Sequence, residues 1–379
     1  MFSSICAYQA ALLSGRGFTN GEIGFLIAAR CLAGILCQPL LGGFADRNPQ
    51  IPLRRITALS LSLGLTAGLV FYLVPMGMGG TLAVLLVMGG FEISAYPLMD
   101  AMAVQFINAG IPIHYSLARG IGSLSYAVVC ILLGIQVTGW GVESTLITHT
   151  FLAGLEITLI ATYPVFRARP APEQGAPASP HSVIWLLRQN PAFSVMLLAI
   201  LCSMTGLLPL ANFLINVVLD RGGTSGNLGI ALFLMAASEL PAAFLFHHLY
   251  RRLAGGRLLL LSLFFCFLKA LAFYLSPSLL WILLAQPLQM MGYGIFTPTS
   301  VYYVNDSIPS EDRVRGQTIM MVASNGMGGV LGSLLAGLAL DLGGVQLMLL
   351  FSMTLCALGV LLSGVSLRIS GRAALPSGR

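Results

Sequence analysis

Charge is what this sequence has least of. Lysine, arginine, aspartate and glutamate make up 8% of the 379 residues, where a soluble domain carries about 25%. A chain so poor in charge cannot present a water-compatible surface, which excludes a soluble globular protein. With 57% apolar residues and a mean hydropathy of +0.88, it reads as an integral membrane protein. Lysine is scarcer still: Lys269 is the one lysine, and it lies inside an apolar run. The 19 Lys+Arg outnumber 13 Asp+Glu, but the bases fall in short loops between apolar runs, so they signal topology and exclude a nucleic-acid surface. The seven cysteines all sit in apolar segments without Cys-x-x-Cys or histidine at ligand spacing, so no disulfide framework, metal site or cofactor is expected. No cleavable signal peptide is expected either, since the residues at the start show no basic region ahead of a small-residue cleavage site.

What is present is a series of apolar runs, each about 20 residues long and so able to cross a bilayer as a helix. They are expected at 21–44, 56–75, 80–107, 119–139, 145–166, 192–218, 226–249, 257–275, 279–304, 315–340 and 345–367. Ahead of them, residues 1–13 are apolar but span only ~20 Å as a helix, short of a ~30 Å hydrocarbon core. They read as the second part of a truncated first span, giving an all-α membrane protein of twelve spans. Fifteen arginines then fall on one side (47, 54, 55, 119, 167, 169, 188, 251, 252, 257, 313, 315, 368, 372, 379) and two on the other (16, 221). The positive-inside rule makes the first side cytoplasmic and puts both termini there.

Residues 167–190, rich in proline and small residues, read as a cytoplasmic linker. It divides an N-terminal helix bundle (1–166) from a C-terminal one (191–379). The halves repeat weakly in parallel sense: Pro97, Arg119 and Gly120 recur as Pro298, Arg315 and Gly316, and Arg54-Arg55 as Arg251-Arg252. Parallel halves related by an axis along the membrane normal are a transporter architecture, with substrate between them near the midplane. The glycine-rich run from Gly326 to Gly337 carries small-xxx-small spacings for close helix packing and lacks the pattern of a phosphate loop.

Ionisable groups inside the spans are Arg30, Glu92, Asp100, Glu156, Glu239 and Lys269, with Arg119 at a helix mouth. Each costs ~2.5 to 3.5 kcal/mol at the bilayer centre, so each should face a cavity or a partner. Asp100, Arg119 and Tyr126 make a polar clamp with a stacking plate on adjoining helices. Glu239 and Lys269 make a second acid/base pair in the other half. The bland alternative for both is a structural ion pair between helices. Glu92 and Glu156 read as helix contacts, and His149 has no nameable partner. Asp46 with Arg47, Arg54 and Arg55 reads as a conformational latch in a loop.

These residues are similar to motifs of the major facilitator superfamily, and within it of the lactose permease and phenylpropionate permease group of proton symporters. CQPLLGGFAD (Cys37–Asp46) resembles that group's second-helix and loop signature, PLMDA (Pro97–Ala101) its Pro-x-x-acid motif, and YSLARGIGSLSY (Tyr115–Tyr126) its loop and fifth helix. The resemblance implies that Asp100 and Arg119 bind substrate, that Tyr126 stacks on it, and that Glu239 and Lys269 stand where the family has an eighth-helix glutamate and a ninth-helix arginine. Arg30 resembles a second-helix arginine of the phenylpropionate permease and is expected at the substrate. The tenth helix departs from the pattern, with Gln289 and Gly292 where the lactose permease has its coupling histidine and glutamate.

The expected function is secondary active transport of a small polar or anionic organic solute, a sugar or a carboxylate, by alternating access and with proton-coupled uptake. The expected setting is a monomer in the lipid bilayer of a bacterial inner membrane. A drug-efflux antiporter leaning on Asp100 and Glu239, and a non-transporting polytopic receptor, are the alternatives. An intramembrane enzyme is disfavoured, because the spans hold no Ser/His, paired-Asp or metal-ligand cluster.

Overall fold

A backbone in lipid has no water to bond to, so each apolar run must satisfy its own amides as a helix. The computed structural model follows this rule, with no strand among the described residues. The structure describes residues 1–108, 110–111, 115–165 and 181–373, with the side chains of 2, 108, 115–120, 243, 372 and 373 excepted.

In the first half, α1 (Phe2–Ile5) and α2 (Gln9–Gly15) lead to α3 (Asn20–Arg47), α4 (Leu53–Leu73) and α5 (Met78–Met88). A π-helical turn (Gly89–Ile93) joins α5 to α6 (Ser94–Asn108), and α7 (Tyr115–Trp140) and α8 (Ser144–Thr162) follow. The second half opens with the short α9 (Val183–Gln189). It continues through α10 (Pro191–Leu207), α11 (Pro209–Asn212), α12 (Leu214–Asp220), α13 (Ser225–Arg252), α14 (Gly255–Leu275) and α15 (Leu279–Ala285). A second π-helical turn (Met290–Gly294) precedes α16 (Ile295–Ser307), and a third (Val322–Met327) separates α17 (Arg313–Met321) from α18 (Gly328–Ala373).

Among the described residues nine helices are long and apolar enough to cross a membrane, or ten with α13 counted across its 51° bend. That bend follows Pro241, whose ring removes a backbone donor and crowds the preceding turn. One of the nine, residues 310–371, would be roughly 93 Å long if straight, three times a bilayer core. It therefore makes two passes, and the reversal is at Gly343 (φ −149°, ψ 19°) and Gly344 (φ 66°, ψ −164°), the latter a left-handed conformation suited to glycine. Every full span expected from hydropathy has a helical counterpart.

The parallel repeat is visible in local chemistry. Pro97 and Pro298 each stand four residues after the end of a π-helical turn, at Ile93 and Gly294. A proline leaves the carbonyl four residues back without its donor, and the Ile93 carbonyl accepts instead from Gln38 Nε2 at 3.5 Å. The helices α3 and α13 both start with a threonine box. Glu22 Oε2 accepts from Thr19 N–H at 2.9 Å, and Asn227 Oδ1 accepts from Thr224 N–H at 2.8 Å.

The halves meet along two helix pairs, α3 with α18 and α7 with α13. Both seams run on glycine. A Cβ on Gly24 would strike the Ser333 carbonyl and come 3.2 Å from Gly337 Cα, while one on Gly229 would come 2.9 Å from Gly134 Cα. Such approaches let backbones touch without side chains between them, the main source of helix association where lipid is as apolar as leucine.

Candidate functional site

The second half builds its polar centre from three helices. Lys269 on α14 is 2% exposed, and its Nζ donates to Gln289 Oε1 at 2.8 Å. Gln289 stands at the mouth of the second π-helical turn, and its Nε2 donates to Glu239 Oε1 on α13 at 3.0 Å. The expected acid/base pair is thus a relay: no ion pair joins Glu239 to Lys269 directly, and the amide bridges them. A glutamine can do this because its two ends are acceptor and donor, matching ammonium on one side and carboxylate on the other. The π-helical turns lie beside these groups in both halves, in keeping with their tendency to mark functional positions. Glu92 is inside the first turn and Gln289 adjoins the second.

Tyr126 on α7 is half-buried and packs against the main apolar core, and α7 is the helix paired with α13, which carries Glu239. Asp100 is half-buried on α6 and engaged in an interaction. The Arg119 side chain, expected to pair with Asp100, lies outside the described residues.

Arg30, expected at the substrate, is buried among polar partners. It is 3% exposed, and its Nη2 donates to Glu92 Oε2 at 3.2 Å while Nη1 donates to Gln9 Oε1 at 3.1 Å and Cys6 Sγ at 3.0 Å. Its guanidinium is thereby tied to α2 and the first π-helical turn. Glu92 faces Arg30 and also His149, whose Nε2 is 3.2 Å from Glu92 Oε1. So His149 has a partner after all, which no spacing along the chain could reveal because three helices bring the group together.

The hydrogen bonds joining the two halves between described residues converge on Asn20 and Asp341. Asp341 Oδ1 accepts from the Asn20 backbone N–H and from Asn20 Nδ2, each at 3.1 Å, and Oδ2 accepts from Gly21 N–H at 2.7 Å. Asn216 Nδ2 donates to Asn20 Oδ1 at 2.8 Å. A carboxylate at the end of one helix pass thus caps the N-terminus of α3 in the other half, where the unpaired amides and the helix dipole favour an anion. Sequence reading missed both residues; the one available signal was an aspartate beside the Gly343-Gly344 break. At the same end Arg16 forms a two-pronged pair with Glu143, at 2.7 and 2.8 Å, and lies 3.9 Å from the centre of the Phe71 ring. A hollow of about 290 Å³ here is lined by Ser14, Asn216 and Ser225 among others, away from every residue expected to bind substrate.

At the opposite end Asp46, Arg47 and Arg55 are exposed, and Asp46 makes no ion pair among the described residues. Arg54 donates to the Tyr163 carbonyl at 2.7 Å, a contact within the first half. Among the described residues these groups make no hydrogen bond or ion pair with the second half.

Comparison with known proteins fits this architecture. The chain is similar to the maltose permease of Geobacillus stearothermophilus, 24% identical over 364 residues, covering 94% of this chain and 87% of that one. In three dimensions it is similar to the nucleoside transporter NupG, with a TM-score of 0.82 to a mutant and 0.78 to a second crystal structure. Those matches are 15% and 16% identical and cover 97% of this chain and 96% and 95% of theirs. It is also similar to a bacterial homolog of the human lysosomal transporter Spinster, solved inward-facing and unoccupied, with a TM-score of 0.68 and 14% identity over 97% of this chain and 94% of that one. Residues 1–352 match the family described as the MFS_1 like family. The chain belongs to that family and is an integral membrane transporter of the major facilitator superfamily, not an enzyme.

Proposed function

We propose that the protein carries a small polyhydroxylated solute, a sugar or a nucleoside, by alternating access between an N-terminal bundle (1–166) and a C-terminal one (191–379), with a proton moving in the same direction. The observation that carries this reading is the buried Glu239–Gln289–Lys269 relay, with the aromatic Tyr126 on α7, the helix paired with α13. It offers both donors and acceptors beside an aromatic face, with no uncompensated charge, which is how a pocket recognises hydroxyl groups on a ring. A carboxylate substrate is disfavoured by the same geometry, since Arg30 is tied to Glu92 and Lys269 to Gln289. Asp100 and Arg119 complete the site from the first half. The names of the similar proteins, a maltose permease and a nucleoside transporter, agree with this class.

Closure on one side and openness on the other is the geometry alternating access requires. Both glycine seams and the Asp341 cap lie at the Asn20 end, and the arginine-rich end carries no matching set among the described residues. Under the positive-inside rule the arginine-rich end is cytoplasmic and both termini lie inside, so closure at the Asn20 end is what an inward-facing state of this carrier needs. The protein acts as a monomer in a bacterial plasma membrane.

A thermal-stabilisation screen of the purified protein tests the reading, with maltose, sucrose, uridine, adenosine, phenylpropionate and a lipophilic cation as probes. A ligand at 100 times its Kd adds about 2.7 kcal/mol, enough to read. A sugar or nucleoside should stabilise the wild type and fail with Tyr126→Ala. Stabilisation by phenylpropionate or the cation alone overturns the proposal in favour of a carboxylate carrier or an efflux antiporter.

A further inference from the structure

Glu92 and His149 form a closed polar unit inside the first half. The carboxylate is on the first π-helical turn and the imidazole on α8, 1% and 0% exposed. His149 Nε2 and Glu92 Oε1 are 3.2 Å apart, an ion-pair distance without hydrogen-bond alignment, and neither atom makes a hydrogen bond among the described residues. The helix α4 makes room by presenting glycine to both: a Cβ on Gly64 would lie 2.5 Å from Glu92 Cγ, and one on Gly68 would lie 3.1 Å from His149 Cδ2. The charged and titratable groups facing the pair are Arg30 and Cys31 from α3, Cys6 and the Met1 amino terminus around α1, and Glu156 from α8, while α4 offers only glycine.

The hydrogens of this unit can be counted from its partners. Ser4 Oγ is 2.7 Å from the Met1 carbonyl, which can only accept, so the hydroxyl hydrogen points there. The same Oγ is 3.4 Å from His149 Nδ1 and is left to accept, so Nδ1 bears a hydrogen. A neutral ring then has its lone pair at Nε2, 3.2 Å from a carboxylate oxygen with lone pairs of its own. In a dry interior two such atoms at 3.2 Å repel each other, and an unmatched buried polar pair is costly. One more hydrogen between Nε2 and Oε1 removes the conflict, whether it is written as imidazolium with carboxylate or as imidazole with carboxylic acid.

We infer that the Glu92–His149 pair is the binding site of the coupling proton, and that the conformer closed at the Asn20 end is its proton-loaded form. This rests on the proton-coupled part of the function proposed above. Loading joins the π-helical turn to α8 through one shared hydrogen. Unloading leaves lone pair against lone pair and drives the two helices apart, which is the coupling of occupancy to packing that a carrier needs. Arg30 holds the other carboxylate oxygen throughout, so only one oxygen exchanges a proton.

Two experiments decide it. The first is nitrogen NMR of the purified protein with labelled histidine, the His149 signals being assigned by their loss in His149→Gln. Nδ1 should carry hydrogen across the titration and Nε2 should lose its hydrogen in one step. That step should change in Glu92→Gln, because the carboxylate beside Nε2 is gone. A bare Nδ1 at neutral pH, or an unchanged step in Glu92→Gln, overturns the inference. The second uses proteoliposomes and whichever of maltose or uridine stabilises the wild type. Glu92→Gln should lose accumulation of the probe driven by a proton gradient. Wild-type accumulation by that variant overturns the assignment alone, whereas an absence of gradient-driven accumulation in the wild type sinks the proton-coupled reading and this inference with it. If Glu92→Gln does not fold, His149→Gln serves in the transport arm with the same expected loss.

Discussion

Removing the Asp341 carboxylate should release the seam at the Asn20 end. Asp341→Ala deletes three hydrogen bonds that cross between the halves, to Asn20 N–H, Asn20 Nδ2 and Gly21 N–H. Hydrogen bonds of this kind contribute ~0.5 to 1.5 kcal/mol each, and because the group is exposed the low end applies. An anion at a helix N-terminus adds ~0.3 to 1 kcal/mol. The sum is roughly 2 kcal/mol, or about 30-fold in the balance between closed and open conformers. A wild type closed 100 to 1 would then be open about a quarter of the time. Spin labels at Phe25 and Leu342, both exposed and on opposite sides of the seam, would read this by double electron–electron resonance in a background without native cysteines. Asp341→Ala should show a second, longer distance, and Asp341→Asn, which keeps one acceptor without the charge, about half as much of it. A distribution identical to the wild type in Asp341→Ala would show that the glycine seams alone hold this end shut.

Two further outcomes follow from the same geometry. Gly24→Val puts branched carbon against the Ser333 carbonyl and Gly337 Cα, so the same label pair should move mainly to the longer distance; a short distance kept at full occupancy would refute the close-packing account. Gln289→Leu leaves Lys269 and Glu239 without their bridge in a buried site, at roughly 1 to 3 kcal/mol for each stranded group. It should lower the melting temperature and abolish probe binding, while Gln289→Glu should restore an acceptor for Lys269; a melting temperature unchanged in Gln289→Leu would count against the relay.

The sequence by itself determined the solvent, the spans and the repeat. Scarce charge and apolar runs of about 20 residues leave a chain no stable state except helices in lipid, and the expected boundaries agree with the helices to within a few residues. Pro97 and Pro298 stood out as repeats because a proline inside a span leaves a mark in any packing. Partners were another matter. Lys269 and Glu239 were legible as expensive charges, but not that Gln289 stands between them. Arg30 was legible as an expensive charge inside a span and Glu92 as a helix contact, but not that the two pair with each other. His149 was unreadable until α8, α3 and the first π-helical turn came together around it. Asp341 gained a role only when a loop reversal carried it to a helix start more than three hundred residues earlier in the chain. Hydropathy is a sum over neighbours in sequence and survives without a fold, whereas a hydrogen bond depends on direction and on distances of a few ångströms, and only tertiary packing sets those.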